Sequence, residues 1–112
     1  MKVRKYWDIS YKIELGEESI LLVNIKTQKG NAKRFSIILK AKFKRGWRFV
    51  RRYDNTLQHK GVPHGHYYYK NRGARFVVLG KADDNIGPMV KEISKDIQQN
   101  CKQMIKDYKY SK

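Results

Sequence analysis

One cysteine, two prolines and a near-absence of acid through the middle of the chain are the first facts of this 112-residue sequence. A lone Cys101 closes no internal disulfide, which excludes a disulfide-stapled scaffold and points to a reducing, cytoplasmic setting. Apolar runs such as Ile20-Leu21-Leu22-Val23 fall far short of the roughly 18 residues that span a membrane. The opening MKVRKYWDISYKIEL lacks the apolar stretch of a signal peptide. The expectation is a soluble cytoplasmic protein with no membrane partner. The P-loop, GxGxxG, CxxC, HExxH and GxSxG patterns are all missing, as are helix-turn-helix, zinc-finger and RNP signatures. No motif calls for a cofactor or a metal.

The scarcity of acids is local. Residues 19–82 hold sixteen Lys or Arg and one acid, Asp54. The other nine acids lie outside that stretch: Asp8, Glu14, Glu17 and Glu18 before it, and Asp83, Asp84, Glu92, Asp96 and Asp107 after it. Thermophilic enrichment raises Glu together with Lys, so it does not produce this bias. A formal net charge of +16 repels itself within a small domain, and a polyanion relieves that repulsion. Nucleic acid is therefore the expected partner, and basic strands alone do not distinguish DNA from RNA.

Length argues for a single domain over residues 1–112. Its first two-thirds alternates with period 2. Trp7, Ile9, Tyr11, Ile13 and Leu15 share one side of a first strand, and Gly16-Glu17-Glu18 turns it into a second over 19–28. Lys29-Gly30-Asn31 leads to a third over 33–44. There Phe35, Ile37, Leu39, Ala41 and Phe43 face in, and Lys40, Lys42 and Lys44 face out. A fourth strand covers 47–54. A polar loop over 55–65 and two shorter strands, 66–70 and 74–80, follow it. Trp7, Trp47, Phe35 and Phe49 are expected in the core, as are Tyr67 and Tyr69.

The period then changes. Asp83, Asp84 or Asn85 can cap a helix, and Pro88 suits its first turn. Met89, Val90, Ile93, Ile97, Cys101, Met104, Ile105 and Tyr108 form one stripe at helical spacing, which reads as core. The whole predicts an α+β fold: an antiparallel meander of five to six strands with one long C-terminal helix packed on one face.

Most of the chemistry sits between Arg48 and Arg75. This stretch holds all three histidines (His59, His64, His66), Asp54, and the tyrosines Tyr53, Tyr67, Tyr68 and Tyr69. Asp54 ends one strand and His64 or His66 begins the next, so they can meet across the ladder. Histidine exchanges protons near neutral pH, and neighbouring cations stabilise a phosphoryl transition state. Asp54, His64, His66 and His59 are thus candidate acid–base residues for metal-free RNA cleavage. Two alternatives stay open: simple hydrogen bonding in a polar loop, or metal ligation by the H-x-H pair with Asp54. Lys40, Lys42, Lys44, Arg48, Arg51, Arg52, Lys60, Lys70, Arg72 and Arg75 are candidate phosphate contacts, and Tyr68 a candidate base-stacking residue. Asp54 also has a plain structural reading, as the local salt-bridge partner of Arg51 or Arg52.

Arg52-Tyr53-Asp54-Asn55, then His59, then Pro63-His64-Gly65-His66 resembles the TumE-type toxins of prokaryotic toxin–antitoxin pairs, over residues 33–70. The resemblance implies a cytoplasmic, RNA-cleaving toxin neutralised by an antitoxin protein. The chain departs from that family in its higher charge and its smaller number of histidines. Two other readings stand beside it: a non-catalytic DNA- or RNA-binding domain, and a structural protein binding an acidic partner.

Overall fold

The computed structural model describes residues 6–55, 61–70, 72–83 and 85–110. Six strands, β1 (Ile9–Gly16), β2 (Ser19–Gln28), β3 (Asn31–Phe43), β4 (Gly46–Asp54), β5 (His64–Tyr69) and β6 (Arg72–Val78), precede one helix, α1 (Gly87–Tyr110). The strands form one antiparallel sheet in chain order, an open meander. The α+β architecture is the one the alternation predicts. No helix among the described residues is long and apolar enough to cross a membrane.

Connections are tight because the chain places glycine where the backbone turns left-handed. Gly30 (φ 81°) and Gly46 (φ 107°) close the β2–β3 and β3–β4 turns. At the start of the sheet, the Thr27 amide and hydroxyl both donate to Asp8 Oδ2, at 2.7 and 3.0 Å. Those two bonds lower the Asp8 pKa below its ordinary value.

Helix α1 crosses β3, β4 and β5 on one face. Val90, Ile97, Cys101 and Met104 are buried against Phe35, Ile37, Leu39, Ala41 and Tyr53. Phe43 stacks on Tyr108 at 5.1 Å. The helical stripe is core, as its spacing predicts. The helix entry is fastened by Ile86, whose N–H donates to Ala32 O (2.9 Å), and by Asn85, whose side chain accepts the Gly87 N–H (3.0 Å). Asp83 accepts the Asn85 N–H, and Asp84 lies outside the described residues.

The expected core aromatics divide. Phe35 is fully buried, but Trp47 and Phe49 are each 42% exposed. The cause is a bulge in β4. Leu39 pairs with Arg51 and Lys40 with Phe49, so Val50 is an extra residue in the ladder. The bulge buries Val50 and turns Trp47 and Phe49 away from the helix. Tyr67 packs on the core, edge-on to Tyr53 at 5.8 Å, whereas Tyr69 is only partly buried and is not part of the core cluster.

Gly65 lies between these rings, in register with Tyr53. A Cβ there would meet Tyr67 Cε1 at 2.9 Å and Tyr53 Cδ1 and Cε1 at 3.1 Å. Substituting Gly65→Ala is expected to destabilise the fold by about 1–3 kcal/mol through overpacking. Urea denaturation followed by circular dichroism measures it, and an unchanged midpoint would contradict the packing described.

Candidate functional site

Pairing carries the β4–β5 ladder across both faces. Arg51 faces Tyr67, Arg52 faces His66, Tyr53 faces Gly65, and Asp54 faces His64. Alternation then sorts these residues. Arg51, Tyr53, Gly65 and Tyr67 lie on the helix-covered face. Arg52, Asp54, His64 and His66 lie on the other, which no helix or strand among the described residues covers.

Each residue of Arg52-Tyr53-Asp54-Asn55 has a distinct part. Arg52 Nε lies 3.2 Å from Asp54 Oδ2. Tyr53 enters the core. Asn55, fully buried, uses its side chain where the ladder ends: Oδ1 accepts the Phe35 N–H and Nδ2 donates to Lys33 O, both at 2.8 Å. It continues strand pairing through an amide side chain and anchors the departing loop.

Asp54 and His64 are both almost fully buried, with His64 Nε2 3.1 Å from Asp54 Oδ1. His64 Nδ1 lies 2.8 Å from Val62 O. A carbonyl only accepts, so Nδ1 carries a proton. Nε2 then lies against the carboxylate, a contact that a proton on either group or a metal ion can bridge. His66 is half-exposed, and its ring meets that of His64 edge-on at 5.0 Å. Single ligand atoms of Asp54, His64 and His66 all lie within 4.8 Å of one another. Phe76 stacks on His64 at 4.9 Å and walls the cluster from β6.

The structure thus brings three of the four acid–base candidates together. The fourth, His59, and Lys60 lie outside the described residues. The basic candidates separate. Lys40, Lys42 and Arg52 share the open face with Tyr68, whereas Arg51 sits beneath the helix. There Arg51 lies 4.0 Å over the Tyr67 ring, donates to Tyr53 Oη at 3.3 Å and pairs with Asp107 at 3.8 Å. Asp54 is therefore the partner of Arg52, and a helix acid serves Arg51. Arg75, opposite Tyr67, belongs to the helix side. Lys44 and Lys70 are exposed at turns, and Arg48 is exposed near the bulged end of β4. Arg72 begins β6, with its side chain outside the described set.

Sequence reasoning missed the aromatic share of this face. Trp47, Phe49 and Phe76 are exposed on it, Phe76 at 47%. Phe49 and Tyr68 lie 6.2 Å apart, and Lys40 Nζ sits 5.1 Å from the centre of the Phe49 ring. The bulge hid the two β4 aromatics, because strict alternation groups them with Arg51 and Tyr53. A basic cleft lined by Lys26, Lys33, Arg34 and Gly61 borders the same sheet and also carries no sequence motif.

A family model described as "Domain of unknown function (DUF7718)" matches residues 1–112. No curated protein and no solved structure matches the chain.

Burial pushes the Tyr53 hydroxyl up from its ordinary 10.0 to about 12, with the Arg51 hydrogen bond opposing the shift. A raised folded-state pKa means full stability below pH 10 and progressive loss as pH rises through 12. The loss should reach about 2 kcal/mol. Comparing urea midpoints of wild type and Tyr53→Phe from pH 9 to 12 tests this; the variant should show a shallower decline, and parallel curves would contradict it.

Proposed function

We propose that this chain, which belongs to the DUF7718 family, binds single-stranded nucleic acid, RNA in preference to DNA, on the open face of its sheet. The carrying observation is the combination on that face of exposed aromatic rings with cations. Trp47, Phe49 and Phe76 offer exposed flat apolar surface with the partly buried Tyr68 beside Phe49, and Lys40, Lys42 and Arg52 offer charge next to them. Unpaired bases stack on such rings, and the phosphates that follow them need nearby cations. A duplex hides its base faces and cannot use the rings. The charge bias supports the same reading, because Asp54, the one acid between residues 19 and 82, is already engaged by Arg52.

Fluorescence anisotropy with labelled single-stranded RNA and with duplex DNA of equal length tests this. The expected result is tighter binding of the single strand, with log K falling by about 0.7 per phosphate contact for each decade of salt. Phe49→Ala and Tyr68→Ala should each cost about 1–3 kcal/mol of affinity. Salt-insensitive binding, or variants that bind as wild type does, would overturn the reading.

A second reading, RNA cleavage, is favoured by the closeness of Asp54, His64 and His66 beside that face. His66 is the one of the three that a bound strand can reach, so it takes the proton-transfer role, with the buried Asp54–His64 pair positioning it. In this form the protein resembles a toxin, and an acidic antitoxin would cover the same basic face. Purified wild type should cleave RNA and His66→Ala should lose at least 100-fold in rate, on the order of one acid–base contribution. Equal residual activity in both proteins would remove cleavage and leave binding.

A further inference from the structure

We propose that Asp54, His64 and His66 form a binding site for one divalent transition-metal ion of the zinc class. The site does not depend on nucleic-acid binding, it uses the residues of the cleavage reading in a different role, and it is tested without RNA.

The argument begins with His64. Its Nδ1–H is committed to Val62 O at 2.8 Å, which is how protein histidines are held when the other nitrogen binds a metal. That bond fixes the ring with Nε2 3.1 Å from Asp54 Oδ1. Two donors that each sit about 2.0–2.1 Å from a zinc ion stand roughly 2.9–3.4 Å apart at angles of 90–109°. The observed separation falls in that interval. Asp54 is oriented in the same manner: Arg52 Nε lies 3.2 Å from Oδ2, which sets the carboxylate with Oδ1 toward His64 Nε2.

His66 supplies the third donor. Its ligand atom lies within 4.8 Å of the other two, and ligation would need its partly buried ring to turn toward them. Two imidazoles and one carboxylate form a borderline donor set that suits Zn2+ or Co2+ better than the all-oxygen preference of Ca2+ or Mg2+. Three protein donors leave a coordination position on the His66 side, where the cluster meets the open face.

The experiment adds ZnCl2 or CoCl2 to the purified full chain after chelator treatment and dialysis. Thermal unfolding, visible absorption and bound zinc per chain are measured. The expected result is one zinc per chain, a rise in Tm that grows with free zinc, and a Co2+ visible band. Affinity should fall at least tenfold as pH drops from 7.5 to 5.5, because protons compete for the imidazoles. His66→Gln, at a partly exposed position and with its fold checked by circular dichroism, should abolish the Co2+ band and weaken zinc at least tenfold. Asp54→Asn should do the same. Absence of both the Tm rise and the band in wild type would overturn the site and leave a proton at the Asp54–His64 contact. Zinc binding equal in wild type and His66→Gln would overturn it as well.

Discussion

Four residue pairs join β4 to β5, and their register governs both faces of the sheet. On the helix side, Tyr53 faces Gly65, and the missing side chain of that glycine admits the rings of Tyr53 and Tyr67. On the other side, Asp54 faces His64 and Arg52 faces His66. A slip of one residue would exchange the faces, placing the charged residues under the helix and the rings in water. The core and the candidate site are therefore two consequences of one ladder.

Charge follows the same division. The helix brings acids to the sheet, and Asp107 reaches Arg51 on the covered face. Its other acids serve the helix surface, as Asp96 does by accepting from Asn100 at 2.7 Å. Among the described residues, the open face has no other acid near its centre, where Asp54 is held by Arg52 and His64. The local excess of cations thus persists in three dimensions on the face that also carries the exposed aromatics. The β4 bulge makes that coincidence, since it delivers Trp47 and Phe49 to the side where Lys40 and Tyr68 already point.

Much of the fold was legible because its signals are local. Alternation in β3 reports which side chains face in, glycine turns mark the connections, and the stripe from Val90 to Tyr108 has helical spacing. That Asp54 can meet His64 or His66 was legible too, because a strand, a loop and a returning strand bring those ends together, but which of the two it meets was not. The bulge was not. It replaces one period with two half-patterns and follows from how β3 and β4 fit together, so Trp47 and Phe49 read as core. The roles of neighbouring arginines were also illegible: Arg51 and Arg52 are adjacent in sequence and opposite in space.

The amino-acid sequence by itself determined the strand and helix content, the meander order and the concentration of excess positive charge in the β region. These depend on the period of apolar residues and on composition, which neighbouring residues express together. Tertiary structure alone decided that Asp54 closes on His64 and Arg52, that His66 stays partly exposed beside them, and that the aromatics of β4 join the cations. Those outcomes depend on hydrogen-bond register and on one extra residue in a ladder, and both are properties of paired strands rather than of any strand alone.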